Sequence, residues 1–463
     1  MKPIYLIFLL CLFIYDAEAS KSKMNIQIEK INQEFINLDD PLKFNSFFQN
    51  VKKISSELPS HLQLKLYASM SNLLQTTEGL AWKEEGFYRQ SDFIYSLFIS
   101  FMRGIYAPDY IVGTHVRKLG RYFVEPHSSD LQFSNIHDFQ DFLVNYSLPA
   151  LNQLISVLDE ITMDPKFEFV FDQYIMKGFV SKDKSTDRKD WYFVEEAERY
   201  KLAKSEHLRL FKADLLNIAG MLSYFCAYDL NEALFYSDSL VKKSIIRGIK
   251  KIIFFKKDVE PLTTEDKVSE LFKEKYKFFL TLRNNQLTIK ALTYWHKATS
   301  ERLLAMQAIS KNYAVQNDYI VDTEEIKWKS KKEVPILNER LKFLTAALEH
   351  KNYTLNSNVT RLKVELNPFK LFEIKDYKKI MPKTFYGESQ RHLWKNKEVD
   401  DILIHKVYGQ LMIWDFNYGK PVLFRDPTFN GLLVGSTDDN LMEKLKSIKL
   451  NESIAPFVNL LPL

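Results

Sequence analysis

The feature that most constrains this chain is its shortage of glycine: 13 glycines in 463 residues, under half the usual frequency of about 7%. Sandwiches, propellers and dinucleotide-binding folds place glycine at many tight turns, where only a residue without a Cβ tolerates positive φ. Such folds are therefore disfavoured. A hydrophobic fraction of 46% with 14% aromatic residues supplies a large core and excludes extensive disorder.

What remains is helix, and the hydrophobic spacing agrees. Ile28, Ile31, Phe35 and Leu38, then Leu62, Leu66, Ser69, Leu73 and Leu74, recur at the helical period. Ser134 precedes a helical pattern over 136–161, and Asp164 with Pro165 opens a short expected helix to about 180. The longest pattern runs over 190–228, where Ala203, His207, Leu210, Leu215, Ile218, Leu222 and Phe225 can share a face. Further helices are expected over 231–255, 264–282, 285–313, 335–350 and 398–414. The segment 322–333 is charged and poorly periodic. Residues 352–367 read as a short strand or an extended loop, and a capped helix is expected from about Thr437. The expected fold class is all-α: long antiparallel helices in a bundle or an irregular α-solenoid, with a less regular C-terminal region. The expected organisation is a signal peptide over 1–19, a helical array over 20–320 and a C-terminal region over 321–463.

Residues 1–19 join Lys2 to an apolar run from Ile4 to Tyr15, too short for a stable membrane anchor, followed by Ala17, Glu18 and Ala19. This reads as a secretory signal cleaved before Ser20, so the expected location is periplasmic or extracellular. Cys11 lies inside the apolar run with no small residues before it, which argues against lipidation. Cleavage leaves Cys226 as the remaining cysteine, so neither an intrachain disulfide nor a cysteine-based zinc site is expected. The 64 basic and 59 acidic residues are interleaved, as on a mixed solvated surface, and do not form a nucleic-acid footprint.

Chemical motifs are sparse. No HExxH, phosphate loop or nucleophile elbow occurs, and no cofactor is expected. His137 beside Asp138 reads as a surface histidine near a helix start. Glu84 with Glu85, Glu195 with Glu196, and Asp400 with Asp401 read as solvated faces, because adjacent carboxylates on a helix point in different directions. His392 and His405 can meet only through folding. The most unusual segment is 242–257, with seven basic residues and no acidic one. There Ile245, Ile249 and Ile252 form an apolar stripe while Lys243, Arg247, Lys250 and Lys251 offer a basic contact to a membrane or partner. Lys327, Trp328, Lys329, Lys331 and Lys332 form a second basic cluster, read as a solvated loop. Sequons occur at Asn145, Asn352, Asn358 and Asn451, about as often as chance gives.

The stretch LLNIAGMLSYFCAYDLNEALF, residues 215–235, and the tail Asp426, Pro427, Thr428, Phe429, Asn430 and Gly431 followed by Leu432 and Leu433 resemble segments of poorly characterised bacterial secreted and periplasmic all-helical proteins, loosely grouped with tetratricopeptide-like folds. The resemblance implies an envelope location and a helical fold, and brings no catalytic residues. The functional expectation is a non-enzymatic binding or scaffold protein whose partner is another protein or an envelope component. The alternatives are a membrane-surface or lipid-binding protein acting through 242–257, and an enzyme whose site assembles from distant residues.

Overall fold

The computed structural model describes residues 43–88, 132–172, 200–237, 269–312, 323–357, 362–381, 424–449 and 451–458. It also describes parts of 28–38 and the short pieces 122–123, 178–179, 193–194 and 239–240. The fold is all-α, with helix over more than half of the described residues. The chain divides into two compact units that interleave in sequence, one formed by 1–222 with 297–334 and the other by 223–296 with 335–463.

In the first unit, α1 (Phe44–Glu57) buries Phe44, Phe47, Phe48, Val51 and Ser55, an i, i+3, i+4, i+7 pattern that gives one apolar stripe. Tyr122 packs onto it with its ring centroid 5.4 Å from Phe44 and 5.8 Å from Phe48, and its hydroxyl donates to Asn45 Oδ1 at 2.7 Å. The next helix, α2 (Leu62–Gln75), starts where the His61 ring accepts the Leu64 N–H. It packs against α1 and against α5 (Leu148–Met163). Ser69 and Ser71 lie buried on α2, each hydroxyl donating back to a carbonyl of the preceding turn at 2.9 and 2.8 Å. The short α3 (Leu80–Tyr88) follows.

Ahead of α5 comes α4 (Ile136–Phe142), whose true cap is Asn135: its side chain accepts the Asp138 N–H, while the Asp138 carboxylate accepts the Ser134 N–H. The two helices are joined by a π-helical turn, Leu143–Ser147, closed by the Leu148 N–H on Leu143 O. Pro149 enters directly afterwards and has no N–H to donate, so the wider turn absorbs the break without ending the helix.

Two expectations change here. Residues 168–172 are the strand β1 (Glu168–Asp172), not helix, and the run Phe169, Val170, Phe171 favours strand. After the two-residue parallel pair β2 (Gly178–Phe179) and β3 (Phe193–Val194), β1 pairs antiparallel with β4 (Tyr200–Lys204). The long helix therefore begins only at Ser205, as α6 (Ser205–Ala227). The buried His207 marks its start: Nδ1 accepts the Lys204 N–H at 3.1 Å, and burial pushes the imidazole down to about 4. Among the described residues α6 alone is long and apolar enough to cross a membrane, and most of that stretch is buried inside the protein, as in a core helix.

Two more long helices follow, α7 (Asn285–Asn312) and α8 (Thr323–Leu348). The charged segment 322–333 is thus helical from Thr323. Glu324 and Glu325 occupy its first turn and Lys329 pairs with Glu325, a four-residue spacing that supports a helix lacking an apolar period. Pro335 lies within α8, and the boundary between the two units falls there. Within the first unit Lys212 of α6 is 7% exposed and sits between Asp159 of α5 and Glu301 of α7, with 2.7 Å to Glu301. Arg209, one turn earlier, reaches the same Glu301 at 2.7 Å and the Thr162 carbonyl at 2.9 Å. Charges from three helices, with the Thr162 carbonyl at the end of α5, thereby tie α5, α6 and α7 together.

The second unit is organised around aromatic rings. Tyr224, Tyr228, Trp295, Phe372 and Tyr377 contact one another, with Trp295 and Phe343 meeting Phe457. The Tyr224 and Tyr377 hydroxyls bond to each other, and Tyr228 donates to the Ile374 carbonyl at 3.1 Å. Burial holds the Tyr224 and Tyr377 hydroxyls far above the usual phenol range, so they remain neutral. The segment 352–367 forms an antiparallel hairpin, β5 (Tyr353–Asn356) and β6 (Lys363–Leu366), turning Leu355, Val364 and Leu366 inward. The tail ends in α9 (Leu441–Lys449) and α10 (Ala455–Val458). The former starts four residues beyond Thr437, because the Asn440 side chain holds the Thr437 N–H in a turn first.

Candidate functional site

The helix expected over 264–282 ends early. Residues 269–271 are helical, and the chain then passes through a 3-10 turn, Glu274–Tyr276, into an extended stretch. The cause is lateral backbone pairing. Leu280 N–H donates to Asp229 O and Asp229 N–H to Thr281 O, both at 2.8 Å, while Leu282 N–H reaches Lys375 O at 2.8 Å. Leu280 takes φ 64° to make this turn. The side chains of 271–279 then divide: Leu271, Tyr276 and Phe279 enter a small core with Met381, while Phe272, Phe278 and the lysines between them face outward.

Beside this segment lies a cleft of about 310 Å³ in the second unit, lined by Leu271, Phe272, Lys273, Glu274, Lys277, Asp376, Lys378, Lys379 and Arg425. Five of these nine side chains are cationic and two are anionic. One anion is already committed: the Asp376 carboxylate accepts the Lys378 N–H at 2.9 Å and caps the 3-10 helix Tyr377–Ile380. One cation is also committed, because the buried Lys378 Nζ donates to the Tyr276 carbonyl at 3.0 Å and to that of Lys277, stapling the two cleft walls. Lys277 pairs with Glu274 at 3.5 Å, an exposed contact worth little.

A fully buried carboxylate immediately precedes the lining segment. Glu270 accepts from Ser239 at 2.9 Å and pairs with Lys273 at 2.7 Å and Lys275 at 3.3 Å. Burial, and after it the Glu270 charge, pushes the Tyr236 hydroxyl up to about 12.

Arg425 closes the cleft from a distant part of the chain, and a strained turn places it there. The Asp426 carboxylate accepts the Thr428 N–H at 2.8 Å, the Thr428 hydroxyl at 2.7 Å and the Asn430 N–H at 2.6 Å. Phe429, Asn430 and Gly431 follow with φ of 52°, 62° and 83°, a left-handed run that side chains normally avoid. Phe429 is buried against Phe424 at 5.0 Å, and the Arg425 N–H donates to Met381 O at 3.2 Å. The guanidinium comes to rest 4.1 Å from the Phe272 ring centroid. The guanidinium is planar by its own delocalisation, and a contact with an aromatic face leaves its N–H fork pointing along its edges, where an oxyanion can be met, while the cationic walls concentrate positive potential in a confined space. The arrangement suits capture of an anion.

None of the described residues singled out as candidate site residues in sequence lines this cleft. Lys243, Arg247, Lys250 and Lys251, with the whole of 242–257, lie outside the described residues, as do Glu195, Glu196, His392, Asp400, Asp401 and His405. His137 stands in the first turn of α4. The cluster at 327–332 is on α8 and not in a loop, with Trp328 exposed. Glu84 is not simply a solvated carboxylate. It is half-buried on α3, and burial raises its carboxyl to about 8. Among the described residues no group of three or more His, Cys, Asp or Glu side chains is arranged to hold a metal, and Cys226 is buried and not in a disulfide.

Sequence reasoning missed the cleft because its cations come from three separated segments, around 273–277, 378–379 and 425. The one local signal was the alternation of lysine with other residues at 273–277, which a helical reading absorbed. Comparison with protein-family models, with curated proteins and with solved structures gives no match for this chain.

Proposed function

We propose that the protein is an exported, non-enzymatic helical binding protein whose second unit captures an anionic group of an envelope component or protein partner in the cleft. The observation that carries this reading is the convergence of Lys273, Lys277, Lys379 and Arg425 on one cavity in which cations outnumber carboxylates: Glu270 and Glu274 pair with Lys273 and Lys277, and Asp376 is engaged as a helix cap, beside the exposed Lys379 and Arg425. Export rests on the signal-like segment 1–19.

Isothermal titration with inorganic phosphate tests the binding. The expected result is saturable binding that weakens about tenfold as ionic strength rises from roughly 0.01 to 0.15 M, because the screening length falls from about 30 to about 8 Å. An Arg425→Gln, Lys379→Gln variant is expected to lose the heat of binding while keeping the native circular dichroism spectrum, since both side chains are exposed. Phosphate binding of equal strength in that variant would place the anion elsewhere and overturn the reading.

A further inference from the structure

The cleft does not stand alone on its surface. Phe278, 61% exposed, and Phe272, 41% exposed, are large apolar side chains set among Lys273, Lys275 and Lys277. Each ring has a cation over it that also lines the cleft: Arg425 at 4.1 Å from the Phe272 centroid and Lys277 at 5.8 Å from that of Phe278. Exposed rings carry a cost in water that a soluble anion does nothing to relieve.

A phospholipid bilayer with anionic headgroups relieves both features at once. Aromatic rings settle at the boundary between headgroups and acyl chains, and basic side chains around them meet lipid phosphates. We propose that the cleft and its aromatic rim form a docking surface for an anionic phospholipid membrane. A headgroup phosphate enters between Lys277, Lys379 and Arg425, and the Phe278 ring inserts beside it. This rests on the anion-binding reading above and names the source of the anion. The attachment involves one small patch, so it is peripheral and reversible.

Three properties follow from the chemistry. Binding requires anionic lipid, because each basic side chain near such a surface contributes about fivefold in affinity and nothing comparable on a zwitterionic one. It weakens with salt, since the attraction acts within a screening length. It also depends on Phe278, which lies outside the cleft lining and so outside the site that holds free phosphate.

The test is co-sedimentation of the full chain with vesicles of phosphatidylcholine alone and of phosphatidylcholine mixed with phosphatidylglycerol, beside the phosphate titration. The wild type is expected to bind the mixed vesicles only. Phe278→Ser is expected to bind them about tenfold more weakly, as loss of a partly buried ring implies, while retaining full phosphate binding. Lys277→Gln with Lys379→Gln is expected to lose about 25-fold on vesicles and to weaken phosphate binding too. Phosphate binding without vesicle binding, or Phe278→Ser binding vesicles as the wild type does, would overturn the membrane proposal and leave the anion site standing. Equal binding to both vesicle types overturns it as well. Loss of phosphate binding in the wild type would remove both readings.

Discussion

Replacing Lys212 by methionine tests the charged tie between α5, α6 and α7. Methionine keeps the stem packing and removes the ammonium. Lys212 Nζ is 2.7 Å from Glu301, and its side chain is 7% exposed against 17% for Glu301 and 48% for Asp159. Orphaning a buried charge completely costs about 3–5 kcal/mol. Here Glu301 keeps Arg209 at 2.7 Å, and Asp159 can return to water, so the expected cost is about 2–3 kcal/mol. Glu301→Gln should cost more, about 3–5 kcal/mol, because it removes the negative charge shared by Lys212 and Arg209 and leaves an amide N–H₂ facing one of the two cations. The double variant should fall short of the sum by at least about 1 kcal/mol, since the two side chains interact directly. Amide hydrogen exchange in α5, α6 and α7 reads the local unfolding free energy of this unit, and Lys212→Met should accelerate the slowest amides about 30- to 160-fold. Acceleration under about threefold, or strict additivity in the double variant, would refute the reasoning.

Glu84 should make stability fall with rising pH: its carboxyl titrates near 8 in the fold and near 4.5 in the unfolded chain, so the folded state holds the proton longer. The contribution is intact below pH 4.5 and is lost progressively towards pH 8. Glu84→Gln should flatten that slope and raise stability at pH 8 by about 2–3 kcal/mol, below the roughly 5 kcal/mol of a fully enclosed group, checked by urea denaturation across pH. His207 acts in the opposite range: with a folded value near 4 against 6.5 unfolded, its share of stability is present above pH 6.5 and lost as pH falls towards 4. Imidazole proton resonances should show a titration midpoint below 5, and a midpoint near 6.5 would contradict the buried cap geometry. Mass spectrometry of the exported protein should find Ser20 as its first residue, and an intact Met1 would refute the signal reading.

The residues that misled sequence reading share a cause. Asp164 and Pro165 carry a valid helix-start signal, yet the chain beyond them is extended because 168–172 finds a backbone partner in 200–204. Residues 272–282 have helical spacing, yet their backbone pairs sideways with 228–229 and 375–376. Conversely, 323–334 lacks an apolar period and is helical, because local charge pairs and good helix formers suffice without one. The candidate site suffered in the same way. Lys273 and Lys277 are neighbours along the chain, but Lys379 and Arg425 reach them only through contacts across about 100 and 150 residues.

The sequence by itself determined the class of fold, since scarce glycine and a helical apolar period act within a few residues and require no distant partner. It also determined the boundaries of α7 to within a residue. Tertiary structure alone decided which helix-like segments become extended, which carboxylates are buried, and that five cations share one cleft. Each of these depends on what lies across the chain: a backbone carbonyl for Leu282, a low-dielectric neighbourhood for Glu84 and Glu270, and a left-handed turn at 429–431 that delivers Arg425 onto Phe272.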